Sequence, residues 1–174
     1  ETGKKFAIIE NEFGSVGLDG SLVDVPQGSL FEINDGCVCC TVQTDLLEVF
    51  QELVERGDTF NHVIIETTGL ADPAPVMRLF DRPAISATFE LQGIVTVVDA
   101  AHIDTSLDEV DTCREQITYA DVLILNKIDS VSADALDETE SRLQSLNPFA
   151  QVLRAAYAKV DAALVLGNLR KVDD

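Results

Sequence analysis

Three clusters in this sequence have residue types and spacings that could do chemistry. The first is Asn126-Lys127-Ile128-Asp129, directly after the apolar run Val122 to Leu125. A carboxylate at the fourth position can accept two hydrogen bonds, from the N1–H and the exocyclic amino group of guanine. Adenine offers the wrong pattern there, and discrimination follows because an unmatched buried polar group is expensive. Asn126 can bond the base and tie neighbouring loops, while the stem of Lys127 can pack along the ring. The plain alternative is a strand-end turn closed by Asn126 and Asp129.

The second cluster is Glu66-Thr67-Thr68-Gly69-Leu70-Ala71-Asp72-Pro73, after the apolar run His62 to Ile65. Glu66 at a strand end could hold a magnesium-bound water or position an attacking water. Gly69 would let a backbone N–H approach a terminal phosphate closely. A strand-to-helix turn, with Asp72 before Pro73 at a helix start, explains Asp-Pro but not the glutamate. The third cluster is Gly36-Cys37-Val38-Cys39-Cys40. Soft thiolates select zinc or copper(I) over magnesium or calcium. Three sulfurs this close do not easily close a tetrahedral site, so two thiolates plus another group, or three plus water, is the expected set. Glu10 is a candidate oxygen ligand. The alternatives are thiol–disulfide chemistry or a ligand-free buried cluster. Neighbouring cysteines pair poorly with one another, because disulfide geometry is specific.

Positioning these groups requires a particular arrangement of elements. Short β-branched runs at Lys5 to Glu10, His62 to Thr67, Gly93 to Asp99, Val122 to Asn126 and Gln151 to Ala155 read as strands. Their near-continuous apolar character suits strands covered on both faces, as in a parallel sheet. Helical spacing of apolar residues appears over Thr44 to Arg56 and over Ala133 to Leu146, with Ser132 as the N-cap of the latter. Alternating strands and helices give an α/β fold with helices on both faces of the sheet. In such sheets function sits beyond the carboxyl ends of the strands, where Glu10, Thr67 to Asp72, Asp99 and Asn126 to Asp129 all fall. The stretch Gly14 to Gly36 shows no clear periodicity and reads as a long loop delivering the cysteines. Asp99 either supports a site from behind or caps the next turn. His62 and His102 read as surface or loop residues, and Cys113, sharing a helix with Ile117, as a small core residue.

Composition removes several classes of function. The 174 residues suit one domain with a real core, and the net charge of −19 argues against nucleic acid and anionic membranes as partners. No apolar run approaches the roughly 18–20 residues that cross a membrane, and the amino terminus carries no secretory pattern. A cytoplasmic location is the default expectation, and in a reducing compartment the cysteine cluster is no structural staple.

The three motifs in this order resemble the CobW-like family of GTPases, a metallochaperone branch of the P-loop NTPases. The matching stretches include IIENEFGSVGLDGSLV, EINDGCVCCTV, HVIIETTGLADPAPV, LQGIVTVVDAAH, REQITYADVLILNKIDSV and SLNPFAQV, and cover the chain nearly end to end. The resemblance implies a P-loop NTPase-like, mostly parallel sheet and a GTPase that binds zinc, or a similar divalent metal, for delivery to a client metalloprotein. It implies GTP or GDP with Mg2+ as cofactors. Glu10 to Gly14 would form a first switch. Cys37, Cys39 and Cys40 would be the metal motif, with Glu10 beside them. Glu66 to Gly69 would form a second switch, with Thr67 and Thr68 near the nucleotide, and Asn126 to Asp129 would bind guanine. The family's phosphate loop lies upstream of the residues that match Lys5 to Glu10. Residues 1–174 therefore read as a partial GTPase domain without the first strand, phosphate loop, first helix and carboxy-terminal domain. On that reading two interior strand edges lack partners and the fragment is expected to be inactive in hydrolysis and unstable alone. Self-association into a homo-oligomer stays open.

Overall fold

A computed structural model describes residues 5–12, 30–34, 41–57, 60–67, 69, 71–167 and 169. Cys37, Cys39, Cys40 and Thr68 lie outside the described residues. The chain divides into two compact units, one of residues up to 71 with 75–89, the other of 72–74 with 90 onward.

In the first unit, strands β1 (Phe6–Glu12), β2 (Leu30–Asn34) and β3 (His62–Thr67) form a parallel sheet in the order β2-β1-β3. Strand β2 corrects the reading of Gly14 to Gly36 as structureless. Leu30 to Asn34 is too short a run to stand out beside the Gly, Asp and Pro that precede it. Helix α1 (Thr41–Glu55) starts three residues earlier than its apolar spacing marks. Leu46, Phe50 and Leu53 recur at helical spacing and are buried against Ala7 and Ile9, which share one face of β1. The short helices α2 (Ala74–Met77) and α3 (Pro83–Ser86), joined by a 3-10 turn over Arg78–Asp81, close this core with Leu79 and Ile85. Phe50 is its centre, with ring centroids 5.8 Å from Phe80 and 4.7 Å from Phe89. Ile64, on the other face of β3, is 47% exposed.

In the second unit, β4 (Val95–Asp99), β5 (Val122–Asn126) and β6 (Gln151–Arg154) form a parallel sheet in the order β4-β5-β6. The all-parallel α/β expectation holds, distributed over two three-stranded sheets. β5 is buried throughout Val122 to Leu125 because both its faces are covered. On one side lie α4 (Ile103–Glu109), α5 (Asp111–Tyr119) and α6 (Ala133–Leu146), through Ile103, Leu107, Ile117, Leu136 and Leu143. Cys113 packs against this cluster, and burial pushes its thiol pKa up, as suits a core residue. On the other side lie Val160, Leu169 and Val165 of α7 (Ala162–Gly167). Ser132 caps α6 as its position suggests, accepting from the Ala135 N–H at 3.3 Å.

Asn147, buried at the end of α6, laces the amino end of β5. Its Nδ2 donates to the carbonyls of Ile117 and Ala120 at 2.8 Å and Thr118 at 3.1 Å, and its Oδ1 accepts from the N–H groups of Phe149 and Ala150. Replacing it strands several buried backbone groups at once. Asn147→Leu should destabilise the protein by about 2–4 kcal/mol in urea unfolding, while Phe149→Ser next to it should change stability by less than about 0.5 kcal/mol. Phe149 is 96% exposed, so equal effects of the two substitutions would contradict this assignment.

Candidate functional site

The carboxyl end of β5 is tied to both of its neighbours. The Ala100 N–H donates to the Asn126 carbonyl at 3.0 Å, the Ala155 N–H to Leu125 at 2.8 Å, and the Ile128 N–H to Ala155 at 3.2 Å. The side chain of Asn126 reaches into the segment after β6, its Oδ1 accepting from the Ala158 N–H at 2.8 Å. Asn126 therefore closes a neighbouring loop and not its own turn. The turn over Ile128–Ser130 is closed by backbone, with the Ser130 N–H donating to the Lys127 carbonyl at 2.9 Å. The Asp129 carboxylate is left exposed.

Lys127 sits in the left-handed region, at φ 60° and ψ 31°. For a residue with a β-carbon that conformation costs about 1–2 kcal/mol. Its Nζ donates to Asp99 Oδ2 at 2.8 Å. Asp99 ends β4 and pairs in register with Asn126. Its Oδ1 accepts from the Ala101 N–H at 2.9 Å, and its Oδ2 also lies 3.0 Å from His102 Nδ1. Asp99 thus caps the turn after β4 and also bonds the lysine of the β5 motif. Burial pushes this carboxyl pKa up, but hydrogen bonds from Lys127, His102 and Ala101 outweigh it and hold the group at about 2. His102 is an exposed residue at the start of α4, as expected. His62 instead opens β3, with its ring 5.4 Å from that of Phe6.

The segment after β6 carries a feature absent from the sequence reading. Tyr157 and Ala158 have φ of 54° and 52°, and the Lys159 N–H donates to the Ala156 carbonyl at 3.1 Å. Two consecutive left-handed residues inside a tight turn are the pattern of a type I′ turn, in which Gly and Asn are the usual occupants. Nothing in Ala-Ala-Tyr-Ala advertises it.

In the first unit, parallel register sets Glu10 opposite Glu66 on one side and opposite Glu32 on the other, near the carboxyl ends of the strands. Glu10 is buried at 6% exposure and Glu66 is exposed. Thr67 is the last residue of β3 and half-buried, and Gly69 is exposed in the turn that follows. Asp72 caps the next helix, its Oδ1 accepting from the Ala74 N–H at 2.8 Å. Glu32 was not singled out in the sequence because β2 was not. Among the described residues, no group of three or more His, Cys, Asp or Glu side chains is gathered to hold a metal ion. No helix among them is long and apolar enough to cross a membrane.

The family model described as CobW/HypB/UreG, nucleotide-binding domain, matches residues 1–154. The chain is 36% identical over 167 residues to a zinc-regulated GTPase metalloprotein activator 1 of Schizosaccharomyces pombe, covering 91% of this chain and 41% of that protein. It is 34% identical over 197 residues to a zinc chaperone CobW of Sinorhizobium, covering 95% and 55%. It is 31% identical over 171 residues to the zinc chaperone YjiA of Escherichia coli, covering 95% and 53%. The crystal structure of the Zn(II)-bound YjiA GTPase superposes with a TM-score of 0.72 at 25% identity, covering 97% of this chain and 54% of that one. The chain thus spans about half the length of the relatives it matches.

The depressed pKa of Asp99 makes an acid-stability prediction. A carboxyl held below its unfolded value stabilises the fold fully above pH about 4, and that contribution is lost as pH falls toward 2. The difference in urea midpoint between the unaltered protein and Asp99→Asn should therefore be largest above pH 4 and shrink steadily down to pH 2. A difference that stays constant across this interval would show that the charge of Asp99 is not what stabilises.

Proposed function

The chain belongs to the CobW/HypB/UreG nucleotide-binding-domain family, and from that premise we propose that it is the guanine-nucleotide-binding part of a zinc-handling GTPase. The parent protein binds GTP, hydrolyses it, and couples the nucleotide state to delivery of zinc, or a similar divalent metal, to a client metalloprotein. The observation that carries the nucleotide half is the division of labour at the end of β5. Asn126 is committed by its Oδ1 to Ala158, Lys127 by its Nζ to Asp99, and the Asp129 carboxylate remains exposed for a ligand.

In this reading Asp129 accepts from the N1–H and the amino group of guanine. Asn126, its oxygen already occupied, offers its NH2 to the base edge. The turn at Ala156 to Lys159, fixed by Asn126, forms a further wall of the base site. The segment from Glu66 to Gly69, with Thr67 and Thr68, is assigned to the terminal phosphate, Glu66 to position water and the Gly69 backbone to admit the phosphate closely. The carboxylates of Glu10 and Glu66, on register-matched positions of adjacent strands, are the hard oxygen donors that magnesium or its bound waters require. When bound, magnesium neutralises charge on the phosphates.

Zinc is cargo in this scheme and belongs to the softer donors. Cys37, Cys39 and Cys40 supply thiolates and Glu10 an oxygen, an incomplete set suited to holding a metal and passing it on. Glu10 serves both the first switch and the metal motif. Loops ordered by the terminal phosphate can then alter metal affinity on hydrolysis.

Two measurements on the full-length protein test the halves separately. Asp129→Asn turns a double acceptor into a group that also donates, so GDP affinity should fall by about 100-fold or more while xanthosine diphosphate, with a carbonyl in place of the amino group, gains affinity. Unchanged GDP binding would remove Asp129 from the base site. In a titration against a chromophoric chelator, the reduced protein should bind zinc stoichiometrically and Cys39→Ser should not. Equal zinc affinity in the GTP- and GDP-bound states would sink the proposed coupling.

A further inference from the structure

Asp99 lies outside the tetrapeptide that resembles a guanine motif, yet the geometry binds it to that motif at three points. It is the register partner of Asn126 across the β4–β5 pair. The next residue, Ala100, donates its N–H to the Asn126 carbonyl. The third point is the 2.8 Å hydrogen bond from Lys127 Nζ to Asp99 Oδ2. We propose that Asp99 is a positioning residue for guanine-nucleotide binding, holding Lys127 by its ammonium group and so fixing the path of the lysine stem across the base site. This rests on the guanine-site reading above.

A lysine at a loop end ordinarily samples many rotamers, and a ligand that packs on its stem must order it first. Here both ends of the stem are anchored. The backbone end is fixed in the left-handed region between Asn126 and the Ile128–Ser130 turn, and the ammonium end is fixed at the tip of β4. The anchor itself is oriented, because Asp99 Oδ1 is occupied by the Ala101 N–H, which presents Oδ2 to Lys127 and His102. With 29% of its side chain exposed, Asp99 is screened less by solvent than Asp104, Asp108 and Asp137 of the second unit's arginine ion pairs, at 63–69%, and is comparable to Glu140 at 23%. His102, at 73% exposure, shares the same oxygen and reinforces the orientation without reaching the motif. Lys127 then contributes its methylene stem, with its charge already compensated by Asp99.

A purely structural role, two loops laced together, would weaken nucleotide binding regardless of what stands at position 127. A double-substitution cycle in the full-length protein separates the two. Calorimetric titration with GDP and magnesium should show Asp99→Asn binding about tenfold more weakly than the unaltered protein, and less than about twofold more weakly when Lys127→Met is already present. The same loss in both backgrounds, or no loss in the first, overturns the proposal. If Asp99→Asn does not fold, Asp99→Glu replaces it. That variant keeps the charge but displaces it by one methylene, and its loss should likewise vanish with Lys127→Met. An unaltered protein that binds no GDP would overturn the guanine-site reading itself, and this inference with it. GDP binding that is intact but indifferent to Asp99 would overturn the inference alone.

Discussion

From Val122 to Leu125, β5 has no polar side chain, and both its faces are buried. A strand so enclosed must satisfy its backbone entirely within the sheet, and every polar demand is displaced to its two ends. An asparagine meets that demand at each end. Asn147 gathers the carbonyls of Ile117, Thr118 and Ala120 where the chain enters the strand. Asn126 reaches Ala158 where it leaves. The amino end is thereby a stability element, buried and fully bonded. The carboxyl end is built from the same kind of bonds but leaves Asp129 and Lys127 exposed. Separation of stability from function along a single strand is what parallel α/β sheets allow, since their ligand-facing loops all emerge at one end.

Backbone strain gathers at that same end. Among the described residues, Lys127, Tyr157 and Ala158 are the non-glycine positions with positive φ; Lys127 follows Asn126 in the chain, and the Ala158 N–H donates to the Asn126 side chain. Strain of this kind persists only where surrounding contacts over-determine it. Here those contacts are identifiable: the Asp99 carboxylate for Lys127, and the Asn126 amide with the Ala156–Lys159 backbone bond for the turn.

The strands that carry the candidate site were legible because each is a run of β-branched residues ending in a polar one. His62–Thr67 and Val122–Asn126 have the bounds their composition indicates, as does α6, whose cap and apolar period agree. Strand β2 was not legible, since its five residues follow a stretch whose Gly, Asp and Pro signal loop. The partner of Asp99 was out of reach for a different reason: Lys127 is 28 residues away, and only the pairing of β4 with β5 brings the two together. The turn at Tyr157 and Ala158 had no turn-forming residues to announce it, because its conformation is imposed by Asn126 from another strand. Local chemistry therefore names the motifs, while the groups that orient them come from tertiary pairing.

The same logic governs the carboxylates of the first unit. Register between parallel strands is set by which residues are buried, and a slip of one position would turn Glu10 into the core face beside Phe50. Ala7 and Ile9, both fully buried, forbid that slip. Glu10 is consequently held opposite Glu66 by hydrophobic packing on the far face of the strand. Neighbouring parallel strands lie about 4.8 Å apart, so Glu10 and Glu66 occupy adjacent backbone positions across the β1–β3 pair. Apolar burial on one face of β1 thus fixes which residues the opposite face sets beside β3.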